Sequence, residues 1–148
     1  MVSQYIRFGE DDFDDRLLIQ DAFEANGIGT GVTQYAENGD ELMTMLSNRQ
    51  EPPTLIFMDL NMPKMDGREA IKAIKSDPQF KQIPVIVFTT SASEDDIQSS
   101  YLQGVNTYFT KPTMFKDLVE MISVIKTYWL HLYQVSLRIR LIQYLSGF

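Results

Sequence analysis

Short apolar runs alternate with longer amphipathic segments along most of the chain. Five runs have the length and composition of β-strands, and each precedes a segment with apolar residues at helical spacing. The predicted strands cover residues 5–8, 32–36, 54–59, 83–90 and 106–112, and the predicted helices cover residues 13–27, 38–50, 66–76, 93–104 and a segment from 113 onward. Successive strand–helix units predict an α/β fold with a parallel sheet and right-handed crossovers.

Polar residues follow four of the predicted strands. Glu10 and Asp11 come directly after the first strand, Asp59 ends the third, Thr89 lies at the end of the fourth, and Lys111 follows the core of the fifth. Ligand sites of open parallel sheets form outside the carboxyl ends of the strands. We therefore expect these residues to meet at one edge of the sheet.

The residues expected at this edge predict phosphoryl chemistry. Two carboxylates about 4 Å apart repel each other by roughly 4 kcal/mol at an effective dielectric constant near 20, and Mg²⁺ with its preference for oxygen ligands removes that repulsion. A metal ion and the ammonium group of Lys111 would together neutralise a phosphoryl group. Asp59, in the segment "LIFMDLNMPKMDG", is the candidate nucleophile that forms an aspartyl phosphate. Thr89 is the candidate donor to a phosphoryl oxygen.

Composition and charge argue against several other classes of protein. The 148 residues fit one domain with a full core. The chain has no cysteine and one histidine, His131, so disulfides, thiol chemistry and a histidine metal cluster are excluded. The net charge of −7 disfavours binding to nucleic acid. No apolar run is long enough for a membrane helix and no export signal is evident, so we expect a cytoplasmic protein without a membrane partner.

Four segments together resemble the receiver domains of two-component response regulators with the chemotaxis-type single-domain fold. These segments are "GEDD", "MDLNMPKMDG", "PVIVFTTSA" and "YFTKP", and Thr89 and Lys111 follow Asp59 by 30 and 52 residues, as in that family. The resemblance extends over about residues 4–129. It implies a flavodoxin-like, doubly wound (βα)5 fold with a five-stranded parallel sheet of strand order 2-1-3-4-5.

The resemblance implies a phosphoacceptor and a metal site. Asp59 matches the residue that accepts a phosphoryl group from a histidine kinase or a histidine phosphotransfer protein. Asp11 matches a direct Mg²⁺ ligand, Glu10 acts mainly through water, and Asn61 offers its backbone carbonyl to the metal. Asn61 also lies at a position where the family tunes its dephosphorylation rate.

The resemblance also implies a switch. Thr89 and Lys111 match the hydroxyl and the ammonium group that turn toward the phosphoryl group, and Tyr108 matches the aromatic residue whose rotamer follows Thr89. Ser91 lies at another position that tunes dephosphorylation, and the bond between Lys111 and Pro112 is implied to be cis. Slow self-dephosphorylation is the only catalysis expected, so the chain is predicted to be a signalling protein rather than an enzyme.

Some features depart from the family or have simpler explanations. Arg7 and Gly9 stand where the family usually has apolar residues, so we expect weaker packing of the first strand. Asp14 and Asp15 are interpreted as a solvated helix start favoured by the helix dipole.

Two other functions remain as alternatives. A receiver-like interaction module that is not phosphorylated would usually have lost Asp59, Lys111 or the acidic pair, and all are present. Haloacid-dehalogenase-like phosphatases require a second aspartate two residues after the nucleophile, where this chain has Asn61.

Residues 130–148 are interpreted as an extension that follows a receiver domain of residues 1–129. An apolar stripe at helical spacing predicts that the last helix continues, although the alternation over residues 135–141 leaves a strand open. The stripe consists of Leu130, Tyr133, Leu137, Leu141, Tyr144 and Phe148. We expect it to pack against a second copy or a partner, which predicts a homodimer, and an unstructured end is the alternative. Single-domain receivers of this sequence type resemble those that are paired with phytochrome-like kinases, and the sequence does not identify the kinase of this chain.

Overall fold

The computed structural model describes residues 6–9, 13–29, 33–48, 53–62 and 64–132. The predicted metal ligands Glu10 and Asp11 and the tail from residue 133 onward lie outside these ranges. The strands are β1 (Ile6–Gly9), β2 (Thr33–Ala36), β3 (Leu55–Met58), β4 (Val85–Thr89) and β5 (Thr107–Thr110). The helices are α1 (Phe13–Ala25), α2 (Gly39–Ser47), α3 (Gly67–Ser76), α4 (Glu94–Gln103) and α5 (Phe115–Ile125), and α5 continues as a π-helical segment (Lys126–Leu132).

The strands form one parallel sheet in the order β2-β1-β3-β4-β5. This is the strand order that the family resemblance implied, so the predicted fold class is confirmed. β1 occupies an inner position despite Arg7, which pairs in register with Gln34 on β2 and Ile56 on β3. Because all strands run in the same direction, their carboxyl ends lie along one edge. The residues that follow β3, β4 and β5 therefore meet there.

Two apolar cores cover the two faces of the sheet. The α1–α5 core contains Phe23, Phe57, Phe88, Ile122 and Trp129, among other residues. The α2–α3 core lies on the other face and includes Leu42, Met58, Ile71 and Val87. Adjacent strand residues point to opposite faces, so β3 and β4 supply side chains to both cores and are buried along their whole length. This double burial explains the continuous apolar runs in the sequence.

The helix ends carry the capping groups that their sequences supply. The Ser93 side chain accepts a hydrogen bond from the backbone N–H of Asp96 at the start of α4, as expected for an N-cap. Asp66 caps α3 in the same way through the N–H groups of Arg68 and Glu69. Gly27 has a φ of 76° just after α1, a left-handed conformation that glycine adopts without strain.

α5 continues into a helical segment, and the predicted tail helix from residue 133 onward lies outside the described residues. Its π-helical segment is described as far as Leu132, and Trp129 within it packs into the α1–α5 core. The domain boundary after Trp129 stays a prediction. Within the described ranges, no helix combines the length and the hydropathy that crossing a membrane requires.

Gly67 provides a test of how tightly the segment after β3 is packed. A Cβ atom at Gly67 would overlap with the backbone oxygen of Asp59 and would lie 2.6 Å from the Cα of Leu60. Overpacking typically costs about 1–3 kcal/mol, and here the obstacle is backbone rather than a flexible side chain. We expect Gly67→Ala to lower the free energy of unfolding by about 3 kcal/mol or more, measured by urea denaturation followed by circular dichroism.

Gly29→Ala is the matched control, since no heavy atom of the described residues lies within 4 Å of a Cβ built there. Its free energy of unfolding should change by less than about 1 kcal/mol. Equal stability of Gly67→Ala and the wild type would contradict the described approach of α3 to the end of β3.

Candidate phosphoacceptor site

The carboxylate of Asp59 is buried at the carboxyl end of β3, with 7% of the residue exposed. Its Oδ1 accepts hydrogen bonds from the hydroxyl of Thr89 at 2.9 Å and from the backbone N–H of Asn61 at 3.0 Å. Its Oδ2 accepts one from the ammonium group of Lys111 at 2.9 Å. Burying a carboxylate is costly unless it is paired and hydrogen-bonded. Asp59 meets both conditions.

Adjacent strands deliver the hydroxyl and the ammonium group to this carboxylate. Thr89 is the last residue of β4 and is fully buried. Its backbone oxygen accepts a hydrogen bond of 2.7 Å from the N–H of Lys111, which follows β5. The Lys111 side chain is 10% exposed, and its Nζ lies 5.9 Å from the centre of the Phe88 ring. The sheet thus brings together the three side chains that sequence reasoning selected.

Asp15 also binds Lys111, through an ion pair of 2.8 Å between Nζ and Oδ2. The interpretation of Asp15 as a solvated helix start was therefore wrong, because Lys111 reaches between the first turn of α1 and the end of β3. A signal was present in the sequence. Asp15 follows Asp11 by four residues, the spacing of one helical turn, and the sequence predicts that α1 starts at the edge where the other acids are expected.

The segment between β3 and α3 is fixed by backbone contacts. The N–H of Gly67 donates to the oxygen of Leu60 at 3.0 Å, and the N–H of Gly39 at the start of α2 donates to the oxygen of Met65 at 2.9 Å. Lys64 has a φ of 60°, a left-handed conformation found at no other described non-glycine residue. This packing holds Asp59 and Asn61 in a set geometry.

The described part of the predicted metal site consists of oxygen donors. These are the carboxylate of Asp59 and the backbone carbonyl of Asn61, an exposed residue two positions later. Within the described ranges, no group of three or more acidic or histidine residues is arranged to hold a metal ion. Glu10 and Asp11 are outside those ranges, so their assignment stays a prediction. Carboxylate and carbonyl oxygens suit a hard divalent cation.

The predicted switch residues Thr89 and Tyr108 are linked through Ser91. The hydroxyl of Tyr108 donates to the backbone oxygen of Ser91 at 2.8 Å, and the N–H of Ser91 points at the hydroxyl oxygen of Thr89 at 3.5 Å. The backbone N–H of Tyr108 donates to the hydroxyl oxygen of Tyr101 on α4 at 3.1 Å. Burial raises the pKa of Tyr108 and favours its neutral form.

The bond between Lys111 and Pro112 differs from what the resemblance implied. No peptide bond among the described residues is cis, so this bond is trans. The trans form of an X–Pro bond is favoured by about 0.5–1 kcal/mol in the absence of other constraints. Lys111 reaches Asp59 with the bond in this form.

Sequence reasoning also missed an ion pair between Arg68 on α3 and Asp96 on α4. The guanidinium group donates twice, from Nε to Oδ1 at 2.9 Å and from Nη2 to Oδ2 at 2.8 Å. The hydroxyl of Ser91 donates to the same carboxylate at 2.7 Å. These contacts hold the pKa of Asp96 below its ordinary value and raise that of Arg68. A charged residue in the first turn of each helix was the available signal.

The family assignment follows from comparison with known proteins. The model of the response regulator receiver domain matches residues 9–123. The chain belongs to this family. Receiver domains are signalling phosphoacceptors rather than classical enzymes, and they bind a divalent metal.

Several relatives are similar over most of this receiver domain. Response regulator Rcp1 of Synechocystis is 40% identical over 126 residues, which cover 82% of this chain and 85% of Rcp1. The phosphorylated cyanobacterial phytochrome response regulator RcpA has a structure with a TM-score of 0.79 and 38% identity, covering 88% of this chain and 96% of RcpA. The Mn²⁺-bound form of Rcp1 has a TM-score of 0.77 and 36% identity, covering 86% and 95%.

The Arg68–Asp96 pair generates a prediction on pH dependence. A carboxyl group whose pKa is lowered by folding stabilises the folded state above its unfolded-state pKa and loses that contribution as the pH falls. The difference in unfolding free energy between wild type and Asp96→Asn should therefore be constant from pH 7 to pH 5 and shrink below about pH 4. Urea denaturation across this range measures it.

Arg68→Met supplies the control for this measurement. Without the guanidinium group, the substitution Asp96→Asn should cost much less, and the pH-dependent part of the difference should largely disappear. A difference that persists unchanged at pH 3 would show that the ion pair contributes nothing to stability.

Proposed function

We propose that this receiver domain accepts a phosphoryl group on Asp59 and switches a protein-binding surface in response. The observation that carries the proposal is that the two oxygens of one buried carboxylate have different partners. The hydroxyl of Thr89 donates to Oδ1, and the ammonium group of Lys111 donates to Oδ2. A hydroxyl and an ammonium group so placed can follow the negative charge from the carboxylate to an attached phosphoryl group.

The donor is a phosphohistidine of a sensor histidine kinase or a histidine phosphotransfer protein. One oxygen of Asp59 attacks phosphorus, an O–P bond forms as the N–P bond breaks, and the electron pair stays on the imidazole, which takes up a proton. Lys111 then forms an ion pair with a phosphoryl oxygen, and Thr89 donates a hydrogen bond to another. Slow hydrolysis of the acyl phosphate by water restores Asp59.

We assign the metal of this site as Mg²⁺. Its proposed ligands are the Asp59 carboxylate, the Asn61 carbonyl and Asp11, with Glu10 acting through water. When bound, the ion neutralises carboxylate and phosphoryl oxygens during transfer. The oxygen-only donors of Asp59 and Asn61 support this choice.

The edge around Asp59 is suited to contact with the phosphodonor protein. Leu18, Lys111, Pro112 and Leu118 help to line a small cavity of about 50 Å³ beside the site. Leu17, Leu18, Met114 and Phe115 are exposed apolar residues on α1 and at the start of α5. Apolar side chains next to a reactive carboxylate favour docking of a protein over binding of a highly charged small molecule.

The switch surface lies on α4 and β5. Movement of Thr89 toward a phosphoryl group would alter the contacts of Ser91 and thereby those of Tyr108. Leu102, 88% exposed, and Tyr101 lie on the adjacent α4 and can contact a downstream protein. We propose a cytoplasmic signalling protein that pairs with a phytochrome-like kinase and binds neither nucleic acid nor membrane.

The phosphoacceptor assignment is tested by labelling with a small phosphodonor in the presence of Mg²⁺. The wild type should be labelled, Asp59→Asn should not, and chelation of the metal should abolish labelling. Asp77→Asn is the matched control, because Asp77 is an aspartate at the opposite end of α3. Equal labelling of wild type and Asp59→Asn would refute the assignment. Absence of labelling in both would favour an interaction module that is not phosphorylated.

Removal of residues 130–148 tests the proposed homodimer. Trp129 is buried and would be retained, so the α1–α5 core should stay intact. We expect light scattering to give a dimer mass for the full chain and a monomer mass for the truncated chain. A mass per particle equal to one chain in both would exclude association through the tail.

A further inference from the structure

α4 is anchored differently from the other helices around the sheet. Of its ten residues, all described by the structure, Ser100 is the buried one. By contrast, α3 buries Ala70, Ile71 and Ile74, and α5 buries Leu118, Ile122 and Ile125. A helix with so little buried apolar surface gains little of its position from the hydrophobic effect. Its polar contacts therefore decide where it lies.

The ion pair of Arg68 with Asp96 is a charge-assisted contact that joins α4 to α3. Both oxygens of Asp96 are engaged in the fork geometry that makes arginine–carboxylate pairs strong. The Arg68 side chain is 40% exposed and that of Asp96 is 18% exposed, so water weakens the pair without removing it. Lysine would not reproduce this geometry.

The pair also closes a ring of contacts with the phosphoacceptor carboxylate. From Asp59 the ring passes through the hydroxyl of Thr89 to Ser91 and on to Asp96. It returns through Arg68, whose Nη1 donates to the backbone oxygen of Leu60 at 3.4 Å, and Leu60 is bonded directly to Asp59. Both α3 and α4 are therefore linked by hydrogen bonds to the segments that hold Asp59 and Thr89.

We propose that Arg68 and Asp96 are positioning residues for phosphoryl binding at Asp59. The pair holds the segment from Thr89 to Ser91 against the site, so that the Thr89 hydroxyl is in place before a phosphoryl group arrives. When the pair is broken, α4 and this segment move more freely, and binding must supply the ordering. The inference rests on the proposed phosphoacceptor role of Asp59 and adds to it a control by α4.

Binding of beryllium fluoride, an analogue of the phosphoryl group, tests the inference. Titration calorimetry with Mg²⁺ present gives the dissociation constant for the wild type, Arg68→Met, Asp96→Asn and the double variant. We expect each single substitution to weaken binding by about two- to fivefold, the range available to a partly exposed ion pair. The double variant should be no weaker than either single one, because both remove the same contact. Arg68→Lys should fall between wild type and Arg68→Met.

Lys75→Met separates positioning from loss of stability. Lys75 is another cation of α3, and its Nζ donates to the backbone oxygens of Lys81 and Ile83 at 3.1 and 2.8 Å in the turn before β4. Its removal should lower the unfolding temperature while the dissociation constant for beryllium fluoride stays at the wild-type value. Equal weakening by Lys75→Met would show that Arg68 acts only through stability.

The outcomes distinguish this inference from the function on which it rests. If the wild type binds beryllium fluoride, Asp59→Asn does not, and Arg68→Met binds like the wild type, the positioning role is wrong and the phosphoacceptor role stands. If binding by the wild type does not depend on Asp59, both are wrong. Additive losses in the double variant would also overturn the positioning role.

Discussion

The structure depends on stabilising the negative charge of the Asp59 carboxylate, which is buried at the end of β3. Asp59 needs a cation and hydrogen-bond donors within about 3 Å, because a buried carboxylate without them destabilises the folded state by several kcal/mol. The donors come from separate parts of the chain, namely Thr89, Lys111 and the backbone of Asn61. Strand order, parallel direction and the close packing of Gly67 against β3 are conditions for this arrangement.

The same arrangement divides the molecule into a firmly packed part and a loosely held part. β3 and β4 are buried in the two apolar cores, and α3 packs its apolar face into one of them, so these elements fix the site. α4 buries little, and its polar contacts among the described residues are hydrogen bonds and the ion pair of Asp96 with Arg68. Polar contacts depend on geometry more steeply than apolar burial does, so we expect a small change at Asp59 to have its largest effect on α4.

The amino-acid pattern predicted the parallel α/β sheet and the central part of the site, and the strand order came from the family resemblance. β3 and β4 lie between two cores, so their sequences are apolar throughout, and the strand-end rule then selected Asp59, Thr89 and Lys111. The contacts of Asp15, Arg68 and Asp96 were not predicted. They depend on the position and orientation of each helix against the sheet, and tertiary packing determines these. The side-chain roles of Glu10 and Asp11 stay predictions.

Trp129 has a consequence of its own, since it is the single tryptophan of the chain. It lies buried in the α1–α5 core, and its ring contacts Tyr128 edge-on with 4.9 Å between centroids. Its fluorescence therefore monitors the face of the sheet opposite α3, without any introduced dye. A change in tryptophan fluorescence on modification of Asp59 would show that the structural change reaches the α1–α5 face. Unchanged fluorescence would show that the change is confined to the face with α3 and α4.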